Sequence, residues 1–527
     1  MGRSCYPILV AFAALQSCAA YTSSGSIPKV IKTKVAILGG GMAGVTAAKT
    51  LANDLNITDF LVIEARHELG GRVQNVLINN KYSVEIGANW VQGLGTNPIW
   101  ALAQKYGIKN IYSNWTDISY FDHKGWQGVG GPTEKQIDRF DGPIFDSFAE
   151  MAKINNATGL ADTDMRSALR RAGWLGESPA EWAAEYLAFD WEQAEPPVYS
   201  SFYHFVQSYV ANFEEVGNSD NNFAVDPRGF KQVVWGQAKE VRGFDKKIMY
   251  NQTVKTIKYS GSGVTITTAK GVVIEAEYAL CTFSAGVLQH KDVQFVPPFP
   301  DWKASAISQL HMATYTKIFA RFPHIFWNNT QFAVYTDPRE RGYYAVWQNI
   351  DVEGFVPGSK IFFATLTSDQ AYRAEHQTDK EVQADFMQVL RSMYGPDIPD
   401  PIDFVVPRWT QNPLFRGTYS NWGAGVTVEQ FDNVRAPLGS KNDNISSTKQ
   451  PGGGDRLWFA GEHTSRKYFG FLQGAYYSGL AAAHHIADCI NHNCFESRRT
   501  VQIVQQIEEP PIEYPVVKIA KQNGRRW

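Results

Sequence analysis

Gly39, Gly41 and Gly44 stand in G-x-G-x-x-G spacing directly after the apolar run Val35-Ala36-Ile37-Leu38. Each glycine has a physical task. Gly39 permits a tight turn out of a strand, Gly41 lets backbone approach a pyrophosphate, and Gly44 lets the following helix pack on a sheet. That helix starts at Met42 and Ala43, where unpaired N–H groups and the positive end of the helix dipole favour phosphate. Glu64 closes a second apolar run, twenty residues past Gly44. A carboxylate there accepts hydrogen bonds from a ribose 2′-OH and repels a 2′-phosphate, so the pattern predicts FAD or NAD rather than NADP. Arg72 follows Gly70-Gly71, which holds a guanidinium near the backbone where it can meet a phosphate. Lys317 sits in an otherwise apolar run after Tyr315. It is either on the solvent face of an alternating strand or buried, and a buried lysine is costly without a task.

These groups need a scaffold. Residues 34–64 read as strand, glycine turn, helix and strand. Residues 84–93 read as a strand ending in a glycine-rich loop. From about 113 to 222 the pattern is helical, over 133–155, 162–172, 179–189 and 200–209, with an acidic and aromatic loop at 190–197. Strand alternation returns at 253–259, 263–268, 272–275 and 278–281, as an antiparallel ribbon leading to a core strand. Strands at 315–322, 342–348 and 360–366 and a helix at 379–394 follow. A last unit, 457–464 and then 470–490, repeats strand, glycine turn and small-residue helix. The fold class is mixed α/β.

The chain has 527 residues, 44% hydrophobic and 19% charged, with a net charge of −2. This is globular composition, and nothing in it calls for nucleic acid or a membrane surface. Residues 1–20 read as a signal peptide, with Arg3 before an apolar run at 7–15 and small residues up to Ala20. That predicts a secreted protein; separately, a monomer is expected. Asn56, Asn114, Asn156, Asn251, Asn328 and Asn444 stand in N-x-S/T sequons. Cys489 and Cys494 are close enough in sequence to form a disulfide, and Cys281 reads as a buried thiol. No metal site is expected. Residues 495–527 read as a loosely attached tail.

The motifs taken together resemble the flavin-dependent amine oxidases, and within them the secreted polyamine oxidases of plants and fungi. The resemblance runs from about 34 to 494. It rests on the 39–44 fingerprint with Glu64, Gly70-Gly71-Arg72-Val73, Gly87-Ala88-Asn89-Trp90, Asp226-Pro227-Arg228-Gly229, Tyr315-Thr316-Lys317-Ile318-Phe319, Gly417-Thr418-Tyr419-Ser420-Asn421-Trp422 and Gly461-Glu462-His463-Thr464-Ser465. It implies a Rossmann-like FAD-binding domain from 33–112, 222–302 and 409–492, and a substrate-binding domain from 113–221 and 303–408. It implies FAD contacts at Glu64, Arg72, Val254, Gly461 and Glu462 beside the glycine loop. The flavin would be non-covalent, since 282–488 holds no Cys. Lys317 would be the catalytic lysine, holding a water near flavin N5. Tyr419 and Phe471 would flank the flavin, and Trp90, Gln92 and Glu192 would line the substrate pocket. Gln92 departs from the family's acid and weakens attraction for a polycation. Glu195 either compensates or is a surface charge.

The implied reaction is oxidation of a polyamine such as spermine or spermidine. Hydride leaves the carbon next to nitrogen for flavin N5, O2 reoxidises the flavin to give H2O2, and hydrolysis of the imine yields an aldehyde and a shorter amine. Two alternatives are a flavin oxidase of another amine and a flavin-binding module without turnover. An L-amino acid would need a clamping arginine, for which Arg339, Arg341 and Arg408 are the candidates.

Overall fold

The computed structural model describes residues 30–439 and 455–492. The signal peptide, the 495–527 tail, Asn444 and Cys494 lie outside the described residues. The apolar run at 35–38 is the centre of an eight-stranded sheet. Its strand, Val30–Leu38, lies parallel between Phe60–Ile63 and Val273–Cys281, and Leu457–Phe459 adds parallel to the latter. Val35, Ala36, Ile37 and Leu38 are wholly buried. Both faces of a parallel sheet are covered, so such strands are continuously apolar rather than alternating.

Two helices cover one face at the glycine turn. Met42–Lys49 runs on into a wider turn at Thr50–Asp54, and Leu472–His492 crosses it. Small residues make that crossing possible: a Cβ on Gly479 would overlap the Ala43 backbone. The ribbon forms where alternation predicts, at Val254–Ser260 and Gly263–Thr268. The two short strands expected at 272–275 and 278–281 are one strand, Val273–Cys281. The whole strand pairs with Val30–Leu38, but its first half, which also pairs with Gly263–Thr268, alternates in burial, and its second half is buried throughout. The change of burial, not a turn, interrupts the pattern.

A second sheet has seven strands, in the order Asp403–Val405, Tyr315–Arg321, Ile361–Thr367, Val346–Asn349, Phe332–Thr336, Ile118–Asp122, Gly125–Trp126. Tyr315 through Ala320 are all buried, so the strand carrying Lys317 has no solvent face along that stretch. The helix expected at 379–394 is Asp379–Tyr394, closed by a Thr378–Glu381 capping box.

Three further segments differ from expectation. The helix at 133–155 divides into Pro132–Arg139, a turn with Gly142 and Pro143, and Phe145–Thr158. Residues 82–92 form two short strands in separate sheets, Tyr82–Glu85 and Trp90–Gln92. The segment at 190–197 begins not as a loop but as a buried helical continuation: Pro179–Glu185 passes through Tyr186–Asp190 into Trp191–Gln193. Of its acids Asp190 is buried with an ionic partner, as is Glu185 on the preceding helix. Arg341 reaches Asp190 and Glu185 at 2.6 Å each, and Arg166 also pairs with Glu185. Ala194, at φ 58°, ends the helix in the left-handed region.

Candidate active site

One cavity of about 330 Å³ runs from the glycine turn to Lys317. At one end lie Gly39, Gly41, Met42, Ala43, Glu64, Arg66, Gly71 and Val254, and at the other Trp90, Gln92, Glu192, Lys317, Tyr419 and Phe471. Gly44 is behind this wall, where its Cβ would overlap Gly39 O. Gly39 has φ 113°, and a Cβ on Gly71 would lie 3.2 Å from Gly41 Cα. Two backbone turns therefore approach as only glycines allow, and they leave an open cradle at the start of Met42–Lys49. This is the shape a pyrophosphate needs.

Glu64 is buried and oriented by backbone. Its Oε2 accepts from Gly40 N–H and its Oε1 from Arg66 N–H, each at 2.7 Å. Burial pushes its carboxyl up, against those same N–H groups. Arg66, not singled out in the sequence, donates to Gly71 O at 3.2 Å, and Gly70 N–H donates to Gly40 O at 3.0 Å, which ties the two turns together. Arg72 lines the cavity but is not a free phosphate ligand. Its Nη1 donates to Glu462 Oε1 at 2.7 Å and to Thr418 O at 2.8 Å. Glu462 also accepts from Ser420 Oγ at 2.6 Å and Gly470 N–H at 2.9 Å. Burial opposes ionisation of Glu462, but Arg72 and these donors hold its carboxyl below the usual range. The last strand–helix unit is thereby joined to the first, and Gly461 adds to the cavity wall.

Lys317 is 2% exposed. Its Nζ donates to Gly87 O at 2.5 Å and to Asn89 Oδ1 at 2.8 Å, and lies 5.8 Å from the Trp90 ring centroid. Burial lowers its pKa to about 7, with Glu85 opposing. The amine therefore exchanges a proton near neutrality.

Glu192 Oε1 accepts from Gln92 Nε2 at 2.9 Å. Gln92 thus acts as a donor that orients the acid. Glu192 is only half-buried by area because it faces the cavity, yet it lies deep in the protein. Burial raises its carboxyl to about 7, against the Gln92 bond. The Tyr419 hydroxyl donates to Glu192 O at 2.9 Å, which ties the aromatic wall to the acid-bearing turn. Phe471 packs edge-on to Phe213. Trp115 and Trp191 also line the cavity, 5.3 Å apart and 6.0 and 5.4 Å from Trp90. Sequence reasoning missed both, because a lone tryptophan carries no signal that separates pocket from core.

Glu195 is no surface charge. It is buried, accepts from Ser368 Oγ at 3.0 Å, and stands outside the cavity lining. None of Arg339, Arg341 and Arg408 lines the cavity. Arg341 is held by Asp190 and Glu185, and Arg408 by Asp379 and the backbone of Gln377. Cys281 is buried and free, its thiol pushed up to about 12 by burial, and Cys489 is disulfide-bonded. Neither lines the cavity. Asn56, Asn114, Asn251 and Asn328 are exposed, and Asn156 falls on the helix Phe145–Thr158. Among the described residues no helix is long and apolar enough to cross a membrane.

Comparison with known proteins agrees with this geometry. The chain is 35% identical to polyamine oxidase 1 of Zea mays over 504 residues, covering 91% of this chain and 95% of that protein. It is 34% identical to polyamine oxidase 7 of Oryza sativa subsp. japonica over 483 residues, covering 87% and 97%. Its fold is that of a putrescine oxidase solved with putrescine bound, with TM-score 0.68 and 19% identity over 87% of this chain and 99% of that one. Residues 42–487 match the flavin containing amine oxidoreductases, and the chain belongs to that family.

Proposed function

We propose that this protein is an FAD-dependent oxidase of polyamines. The carrying observation is that the glycine cradle, Lys317 and the Gln92–Glu192 pair line a single cavity. The cradle and Glu64 suit the pyrophosphate and ribose of FAD. No described cysteine lines the cavity, which supports non-covalent binding. The sheet around Val30–Leu38 would belong to the FAD-binding domain, and the sheet around Tyr315–Arg321 to the substrate-binding domain. The disulfide is assigned to Cys489 and Cys494. Secretion and glycosylation are part of this proposal, supported by the leader-like sequence and the exposed sequons, and a monomer is expected.

The chemistry FAD supplies when bound is two-electron oxidation of a CH–NH unit with O2 as final acceptor, giving an aldehyde, a shorter amine and H2O2. The protein's own residues prepare the substrate. Tyr419, Phe471 and Trp90 exclude water and favour the neutral form of the reacting nitrogen. Glu192, when ionised, holds a second, charged nitrogen of the same substrate. Lys317 Nζ, anchored on Gly87 O and Asn89 Oδ1, gives or takes a proton. An L-amino-acid substrate is disfavoured because Arg339, Arg341 and Arg408 stand away from the cavity.

The test is anaerobic bleaching of the purified flavoprotein by spermine, spermidine, N-acetylated polyamines and a panel of L-amino acids. Bleaching by a polyamine, with H2O2 on readmitting air, is expected. Bleaching by an amino acid alone would refute the reading.

A further inference from the structure

Behind Lys317 stands a buried acid that the chemistry above leaves unused. Glu85 ends the strand Tyr82–Glu85 and is 5% exposed. One carboxylate oxygen, Oε1, accepts from Phe230 N–H at 2.7 Å, and Oε2 has no hydrogen-bond partner. Buried polar atoms are nearly always satisfied, so an orphaned carboxylate oxygen needs a reason. The chain leads from Glu85 straight to the two groups that hold Lys317, Gly87 O and Asn89 Oδ1. Acid and amine are thus anchored to one short wall segment, 85–89, whose cavity side includes Gly87, Ala88 and Asn89.

Charge bookkeeping isolates the pair. The charged groups facing Glu85 are Lys317, Lys231 and Asp226. Two of the three are committed elsewhere: Lys231 Nζ lies 2.6 Å from Glu68, and Asp226 lies 2.7 Å from Arg228. Among the described residues the charged group facing Lys317 is Glu85. Neither has an opposite charge in hydrogen-bond contact, so each is the other's main compensation in a dry wall. Burial drives both toward their neutral forms, raising Glu85 to about 7 and lowering Lys317 to about 7. An ammonium with a carboxylate and an amine with a carboxylic acid hold the same number of protons. The wall can pass between these two states without burying a net charge.

We propose that Glu85 is a positioning residue for Lys317, its charge deciding whether Lys317 shows the cavity an ammonium or a neutral amine. This rests on the reading of Lys317 as the proton-exchanging group.

Glu85→Gln tests it, because the amide oxygen keeps the Phe230 N–H bond while the charge is lost. The negative charge favours the ammonium, so its removal moves the kcat–pH limb that belongs to Lys317 toward lower pH by about one unit or more. Glu85→Asp restores part of that shift, and in a Lys317→Met background Glu85→Gln moves nothing further. A limb unmoved by Glu85→Gln, with only Tm lowered, overturns the proposal. Should Glu85→Gln fail to fold, Glu85→Asp decides: the withdrawn carboxylate moves the same limb part of the way to lower pH, and a limb left in place with only Tm lowered overturns the proposal. Wild-type turnover by Lys317→Met would instead refute the role given to Lys317.

Discussion

Replacing Glu192 by Gln isolates the charge at the far end of the cavity from its shape. The amide oxygen can still accept the 2.9 Å bond from Gln92 Nε2, and the Tyr419 bond goes to the Glu192 backbone, so neither contact is lost. What disappears is a carboxylate whose pKa burial has raised to about 7. An ammonium hydrogen-bonded to a buried carboxylate is worth about 2–3 kcal/mol more than one left on a neutral acceptor. At about 1.4 kcal/mol per tenfold, kcat/KM for a substrate with a second ammonium falls about 30- to 150-fold above pH 8. The loss is carried mainly by KM, because the contact is the same in ground and transition states. At pH 6 only about a tenth of the wild-type acid is ionised and the gap narrows to about 4- to 15-fold, closing to within about threefold near pH 5. A monoamine of equal length lacks the second charge and is oxidised by both alike. The assay is steady-state H2O2 release with spermidine and with the monoamine, from pH 6 to 9. Equal losses for both substrates, or a loss independent of pH, would refute the role assigned to Glu192.

Removing Arg72 by substitution to Ala strands the buried Glu462 carboxylate and costs about 3–5 kcal/mol, read as Tm. Arg72 helps hold the Glu462 carboxyl below its unfolded value of 4.5, so the pair's stabilisation is present above that pH and lost below it, and the Tm curves meet on acidification. Gly44→Ala drives a Cβ into Gly39 O and to 3.2 Å from Ile37 Cγ2, at about 1–3 kcal/mol or more, and lowers the flavin absorbance per protein. Lys303→Met is the control for a buried lysine without chemistry. Its Nζ donates to Asn433 O, Val434 O and Ala436 O at 3.1, 2.8 and 2.7 Å, closing the end of the helix Val428–Arg435. Its loss lowers Tm, at about 1–3 kcal/mol for each acceptor left unmet, and leaves kcat unchanged.

The amino-acid sequence by itself determined the features that depend on neighbours along the chain. The glycine turn between Val30–Leu38 and Met42–Lys49 was legible because only glycines allow its φ values and close approach. The ribbon Gly263–Thr268 and the helix Asp379–Tyr394 were legible because period and capping are local signals. The same holds for Lys317, an oddity of residue type in an apolar strand. Tertiary structure alone decided the rest. The acidic stretch 190–197 looks like a loop until Arg341, distant in sequence, neutralises Asp190 and permits its burial, just as Arg341 and Arg166 neutralise Glu185 on the preceding helix. Arg72 points to a phosphate in sequence and to Glu462 in space, across 390 residues. Gln92 looks like a lost charge, and in the fold it is the donor that orients Glu192. Glu85 has no motif at all, and its coupling to Lys317 exists only because two sheets bring them to one wall. Charge pairing and desolvation are set by distance in space, which a linear pattern does not contain.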